Sequence, residues 1–382
     1  MSEGFVLTPE KVCLQNTKIK TLQILKKLKL PHIDAKIITP TSFKEYYENR
    51  KITSRLKIIF KKNFEYLLKG GHQVSIRTSV EKRCDLLLPR SESLSNISDC
   101  FNFVKKTWDF FIDNTKDPLN LGIALITHRF IPSFASGTLD TSIPENPNLM
   151  MVEATYGIWE GIQSGIHDVY LVEKRKKGIL KKDIPEKDFA LFSTSKGRWK
   201  YKKLPNFFKK TQIISDSQIL ELARQCQKVE SFFGPARIEF ILKKVKDQKS
   251  SRAVLLWHIA RLPKNFENFW YKVVLPNEEV EGETVYIGFP YQVSSAQGID
   301  KIKKLDHPRL IICLGEELIR KRDLFTVQLV ARIARERNFP VLYKGGQLTH
   351  VNILLKEGGA QVFAVNQNIP LGQTIKIVRS LI

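Results

Sequence analysis

Residues 344 to 357 read KGGQLTHVNILLKE, and they hold the histidine whose surroundings best suit covalent chemistry. Gly345 and Gly346 permit a tight backbone, and Thr349 is placed to cap a helix. His350 would then stand in a first helical turn whose unbonded amides favour an anion. A neutral imidazole is a competent nucleophile near neutral pH, so a phosphoryl group on His350 would have its charge compensated there. The same residues also read simply as a helix start behind a glycine turn. His128, His167 and His258 are isolated in the sequence and read as structural.

A second stretch carries chemistry of another kind. From Lys174 to Lys210 there are fourteen Lys or Arg against Asp183, Glu186 and Asp188, interleaved with Phe189, Phe192, Trp199, Tyr201, Phe207 and Phe208. Cations neutralise phosphates and aromatic faces stack bases, so Lys196, Arg198, Trp199, Lys200, Lys202 and Lys203 are candidate contacts for RNA or single-stranded DNA. The plainer reading is a solvated hairpin with its aromatic residues turned to a core.

The chain is 382 residues long, 42 % hydrophobic and 26 % charged, with a formal net charge of +23. Length and composition imply two or three packed domains rather than disorder. The charge excess is local, since residues 171 to 264 alone carry 24 basic and 9 acidic side chains. No apolar run reaches the ~20 residues of a membrane span, and the N-terminus lacks a basic-then-apolar leader, so a soluble cytoplasmic protein is expected. Cys13, Cys84, Cys100, Cys226 and Cys313 are scattered and unpaired by spacing. They read as buried free thiols in a reducing compartment, with no zinc site.

Periodicity supplies the elements that must position these groups. Ile19, Leu22, Leu25 and Leu28 recur on a lysine-rich helix from Lys18 to Leu28, followed by a strand near Ile37 to Thr39 and a second helix capped by Thr41 or Ser42. HQVSIRTS, GIALITHRFIP and LMMVEATY read as strands, the last running into a glycine-containing loop. Ser215 or Ser217 would cap a helix ending at Gly234 and Pro235, after which ARIEFIL and AVLLWHIA read as paired strands. A composition break at VLPNEEVEGETVYIGFPYQVSSAQG reads as a connection. Beyond it, alternating strands and helices from RLIICL to AQVFAV argue for a small α/β unit. No repeat of solenoid length is present.

Several segments, in chain order, resemble the ATP-binding half of phosphoenolpyruvate synthase and pyruvate phosphate dikinase. NTKIKTLQILKKLKLPHIDAKIITPTSFKEYY is similar to that family's opening, with Lys18 at the lysine of a GGK element. SIRTS resembles VRSS, LITHRFIPSFASG resembles V.QRMV...SG, and VEATYGIWEGIQSGIHDVYLV resembles the GLGE stretch. FFGPARIEFIL resembles FG.P.DIEW, LLWHIARLP resembles ILQTRP, and GGQLTHVNILLKE resembles GG..SHAAI.ARE, the stretch that carries a phosphohistidine. The match covers most of residues 12 to 263 and roughly 305 to 365.

The resemblance implies an α+β or α/β architecture: an ATP-grasp nucleotide-binding region over 1–265, a connecting segment over 266–300 and a small swivelling-type α/β domain over 301–382. It implies ATP and Mg²⁺ as cofactors, with Lys18, Arg77, Arg129, Ile131 and Glu160 around the nucleotide, Glu239 on the metal, and Arg261 and His350 as catalytic residues. Phosphoryl transfer requires cations around the phosphates and a carboxylate-held metal, which Lys18, Arg77 and Glu239 are chemically able to supply. On residue pattern alone Lys18 is one more solvated lysine, Glu239 is as easily turned to solvent as inward, and Glu153, Glu160 and Asp168 are surface carboxylates.

Three departures set this chain apart. Asn16 and Thr17 replace the glycines of GGK, Trp159 replaces the central glycine of GLGE, and Ile259 replaces the glutamine of ILQTRP. Two functions follow as expectations. One is an ATP-dependent phosphotransferase that phosphorylates His350 and passes the group to a small-molecule or protein acceptor. The other is a catalytically degenerate nucleotide-sensing or nucleic-acid-binding module.

Overall fold

The computed structural model describes residues 4–12, 17–80, 88–143, 146–163, 165–194, 198–244, 252–262, 270–305, 307–321, 323–345 and 350–380. The chain begins with β1 (Val6–Leu7), α1 (Thr17–Lys27), β2 (Ala35–Ile38), α2 (Pro40–Asn49), α3 (Ser54–Leu68), β3 (Val74–Val80), α4 (Ile97–Asp113), α5 (Pro118–Leu121) and β4 (Ile123–Arg129). It continues through β5 (Ser133–Asp140), β6 (Leu149–Tyr156), β7 (Asp168–Glu173), β8 (Gly178–Asp183), β9 (Phe189–Ser193), β10 (Trp199–Lys203), α6 (Asn206–Lys209) and α7 (Asp216–Phe233). After β11 (Ala236–Lys244), β12 (Arg252–Arg261), β13 (Trp270–Val274) and β14 (Glu283–Val293) come α8 (Ala296–Lys304), β15 (Leu310–Leu314), α9 (Glu316–Lys321) and α10 (Leu324–Arg337). The last elements are β16 (Val341–Lys344), α11 (His350–Glu357), β17 (Val362–Val365) and β18 (Ile375–Ser380). Two compact units result: Met1–Phe134 with Phe192–Lys200 and Glu221–Leu262, and Ala135–Leu191 with Tyr201–Leu220 and Pro263–Ile382.

In the first unit β1, β2, β4 and β3 form an antiparallel sheet in that order. One face carries Val74, Ile76, Ile123 and Leu125 against Phe43 and Tyr46 of α2, Leu56, Phe60 and Phe64 of α3, and Cys100, Val104, Trp108 and Phe111 of α4. Each such side chain contributes about 1.5–3 kcal/mol by leaving water. Thr53 and Asn96 cap α3 and α4 by accepting the amides of Leu56 and Asp99 at 3.2 and 2.8 Å, worth about 1 kcal/mol each. Thr39, rather than Thr41 or Ser42, precedes α2, because Pro40 takes the first helical position with its φ already set. The other sheet face holds Ile37, Ala124 and Ile126 against Ile19 and Leu22 of α1. β11 and β12 pair as the antiparallel hairpin expected.

In the second unit β5 to β8 pair antiparallel in sequence order. This region contains an ionic interior that the sequence reading placed at the surface. Asp168 is fully buried, with Lys187 Nζ at 2.5 Å and the Tyr170 hydroxyl and Ile213 amide each donating at 2.7 Å. Glu153 is equally enclosed, 3.3 Å from His167 Nε2.

Burial draws the His167 imidazolium down, but the hydrogen bond and charge of Glu153, the Gly165 carbonyl and Asp168 outweigh it, leaving the pKa above 6.5. A raised folded-state pKa gives stability that is complete below 6.5 and fades as pH climbs through the raised value. Chemical unfolding across that interval should therefore show stability falling toward alkaline pH, and Glu153→Gln should flatten the slope; an unchanged slope would remove this pair as its source.

β13, β17, β16, β15, β14 and β18 close into a barrel. The β13 to β17 and β14 to β17 neighbours among them run parallel, while β18 is antiparallel to both β13 and β14. Ile311, Cys313, Leu342, Phe363 and Val365 fill it, while Leu310, Ile312, Leu314, Val341 and Tyr343 turn outward to Val327, Val330, Ala331, Val351 and Leu355 of α10 and α11. Burial on both faces explains the unbroken apolar run of RLIICL. The stretch read as a connection, 266–300, supplies β13 and β14 to this barrel. Pro290 disguised β14, yet β18 reaches only to Gly288, so the N–H a proline lacks falls past the end of that ladder. Gly288 is required there, since a Cβ would lie 2.3 Å from the Arg309 carbonyl oxygen.

Cys100, Cys226 and Cys313 are buried, and burial pushes the thiols of Cys100 and Cys313 up to about 12. Cys13 and Cys84 lie outside the described residues. Among the described residues no helix is long and apolar enough to cross a membrane.

Candidate functional site

Strand alternation decides which cations meet. In the β3–β4 register Arg77 stands opposite Ile126 and Val74 opposite Arg129. Arg77 therefore projects on the α1 face of the sheet and Arg129 on the face of α2 to α4. On the α1 face, the Thr21 hydroxyl both donates to the Ile259 carbonyl at 3.2 Å and accepts the Ile259 amide at 3.3 Å, fixing α1 against β12. That contact sets Lys18 beside Glu239 on neighbouring β11. Lys18 Nζ donates to the Thr78 carbonyl at 3.2 Å, so it is not the solvated lysine that composition suggests.

The electrostatics of this corner are crowded. Burial lowers the Lys18 pKa below 10.5, and Arg77 and Arg90 lower it further against the opposing pull of Glu239. Arg77 Nη1 donates to the Ser91 carbonyl at 2.5 Å. Glu239 faces inward across the hairpin, its Oε1 3.4 Å from His258 Nδ1. His128, whose Nδ1–H donates to the Arg129 carbonyl at 2.8 Å, is held neutral, its pKa drawn down to about 4 by burial and by Arg77. The isolated histidines of the sequence thus each have a partner in space.

Lys18, Arg77 and Glu239 are brought together, while Arg129 and Arg261 are turned to other faces of their sheets. Arg129 donates to the Tyr66 carbonyl at 3.1 Å and lies over the Tyr66 ring. Ile131 is half-buried just past β4. Arg261 stands opposite Ala236, on the hairpin face away from Glu239, its guanidinium 5.2 Å from the Phe233 ring centroid. Glu160 belongs to a short 3-10 turn, Trp159–Gln163, in the second unit. His350 opens α11 as expected, and Gly345 before it takes φ +155°; Gly346 to Thr349, and the His350 side chain, lie outside the described residues.

In the basic segment, Arg198, Lys200, Lys202 and Lys203 are exposed and Lys196 lies outside the described residues. Trp199 is half-buried, with the guanidiniums of Arg77 and Arg90 at 5.8 and 5.4 Å from its ring, which leaves it poorly placed to stack a base. Arg90 and Glu92, which the sequence reading did not select, join the site through that ring and its backbone. Their signal was too local to find, a single arginine and a single glutamate in LPRSES with no periodicity to aim them.

A metal fits this corner only in a limited sense. Mg²⁺ is commonly held by one or two carboxylates with phosphate oxygens and water. Among the described residues no group of three His, Cys, Asp or Glu is gathered to make an all-protein site. Glu239 suits a cation carried in on a polyphosphate.

Mixed α and β layers here bring a lysine, an arginine and a carboxylate together from α1, β3 and β11. Residues 91–255 match the family described as pyruvate phosphate dikinase, AMP/ATP-binding domain, and over that stretch the chain is phosphoenolpyruvate synthase/pyruvate phosphate dikinase-like. It is 30 % identical over 135 residues to a probable phosphoenolpyruvate synthase of Methanocaldococcus jannaschii, covering 34 % of this chain and 11 % of that protein. It is 26 % identical over 161 residues to the rifampicin phosphotransferase of Bacillus cereus, covering 41 % and 18 %. The chain thus matches less than a fifth of either relative's length.

Among solved structures, the D-alanine-D-alanine ligase from Coxiella burnetii aligns with a TM-score of 0.32 at 10 % identity, over 67 % of this chain and 50 % of that one. The L-amino acid ligase from Bacillus licheniformis aligns at 0.31 and 11 %, over 76 % and 60 %.

Proposed function

We propose that this chain is an ATP-dependent phosphotransferase that phosphorylates His350 and passes the group to a small-molecule or protein acceptor. The observation that carries this reading is the convergence of Lys18, Arg77 and Glu239 from three elements far apart in sequence. Crowded cations gain most from an anion of high charge, and a triphosphate supplies it while bringing the Mg²⁺ that Glu239 would hold. That ion, when bound, neutralises charge on the phosphates. Lys18 and Arg77 orient the phosphates and stabilise the charge that builds as the phosphorus–oxygen bond breaks. A nitrogen–phosphorus bond forms at the His350 imidazole, and the nucleotide departs with the bridging oxygen and its electrons.

The resemblance of GGQLTH to a phosphohistidine motif supports His350 as acceptor. Incubation with radiolabelled ATP and Mg²⁺ should yield an acid-labile, alkali-stable phosphoprotein, and His350→Ala should lose the label entirely. Label that persists in that variant would assign the acceptor to another residue. The rival reading, nucleotide sensing without turnover, draws on Ile259, whose buried side chain replaces a polar one. It predicts stabilisation by ATP with no label at all.

A further inference from the structure

We infer that Arg90 and Trp199 complete the phosphate site, Arg90 as a further phosphate-binding cation and Trp199 as the residue that positions both guanidiniums. The inference rests on the nucleotide-binding reading of the first unit and extends it to two residues outside the motifs.

Arg90 is placed by backbone rather than by chance. The Ser91 amide donates to the Ile76 carbonyl at 3.1 Å, and the Ile76 amide donates to the Ser91 hydroxyl at 2.7 Å. Val74 and Leu94 exchange both of their backbone hydrogen bonds at 2.8 Å. The segment that carries Arg90 therefore runs alongside β3, next to Arg77. Trp199 is fixed as firmly. Its amide donates to Glu92 Oε2 at 3.1 Å, and the Arg198 carbonyl beside it accepts the Thr194 amide at 2.7 Å.

One indole so placed serves two guanidiniums, with Arg77 and Arg90 at 5.8 and 5.4 Å from the ring. Cation–π contact orients a guanidinium without neutralising it. Arg77 and Arg90 stand close enough to Lys18 to lower its pKa. Arginine presents a planar fork suited to phosphate, and here one ring holds two such forks side by side. The Trp199 indole N–H is buried and has no hydrogen-bond acceptor among the described residues. Such donors are uncommon in folded proteins. The ligand class is accordingly the polyphosphate end of a nucleotide.

Calorimetric titration with ATP tests this on Arg90→Gln, Trp199→Ala, Trp199→Phe and Lys18→Met, each checked for an unchanged circular dichroism spectrum. Arg90→Gln should weaken ATP by roughly 10- to 100-fold while changing AMP far less, since the loss falls on the outer phosphates. Trp199→Ala should weaken ATP by roughly 5- to 10-fold, and Trp199→Phe, which keeps an aromatic face, should recover most of that loss. The emission of Trp199, taken as the difference between the wild type and Trp199→Phe, should shift on adding ATP, which a merely structural tryptophan would not show. If Arg90→Gln and Trp199→Ala bind ATP as the wild type does while Lys18→Met does not, the inference falls and the nucleotide site stands. If the wild type binds no ATP, both fall.

Discussion

Lys18→Met is expected to weaken ATP binding by about 2–4 kcal/mol, roughly 30- to 1000-fold, without destabilising the ligand-free protein. The first half follows from removing a buried cation from the proposed phosphate site. The second follows from the direction of its pKa. Burial and two arginines hold Lys18 below 10.5, so its charge is a burden on the folded state that a methionine of similar length relieves. The sign with pH is definite: the unfolded chain binds the proton more tightly, so ligand-free wild type gains stability as pH rises toward 10.5. Lys18→Met should lack that gain. Thermal melts with and without ATP, repeated at rising pH, measure both effects. A variant that loses stability at neutral pH while keeping its affinity for ATP would make Lys18 structural.

Lys187→Met should be the most damaging single change in the second unit, costing about 3–5 kcal/mol. It would leave the fully buried Asp168 without its lysine, the Tyr170 hydroxyl and the Ile213 amide still donating to it. Asp168→Asn in the same chain removes that charge and should restore part of the loss, so the two changes together should cost less than their sum. Urea unfolding of the four proteins gives the coupling directly. Costs that simply add would show that Asp168 and Lys187 do not act as a pair.

The fold was legible wherever one periodicity dominated. The apolar stripe of α1, the strands β3, β4 and β6, the β11–β12 hairpin and the alternation from β15 to β17 all lie where the sequence places them. α3 and α4 show helical spacing in Leu56, Phe60 and Phe64 and in Cys100, Val104 and Trp108, but they fall between the stretches that carry the resemblance. β13 and β14 were hidden by an acidic, glycine- and proline-bearing composition that imitates a linker. In the candidate site, Lys18, Arg77 and Glu239 were found through resemblance, but the face each occupies depends on register. Resemblance also grouped Arg129 with Arg77, and only the β3–β4 pairing separates them. The buried charges of Glu153 and Asp168 were misread because nothing local to a carboxylate announces a lysine or histidine arriving from another segment.

The central claim, that Lys18, Arg77 and Glu239 form a polyphosphate site, is tested most directly by competition against a fluorescent ATP analogue bound to the wild-type chain. Inorganic tripolyphosphate should displace the analogue and adenosine should not, with Mg²⁺ strengthening the triphosphate. Displacement by adenosine alone, or no binding of the analogue with or without Mg²⁺, would contradict it.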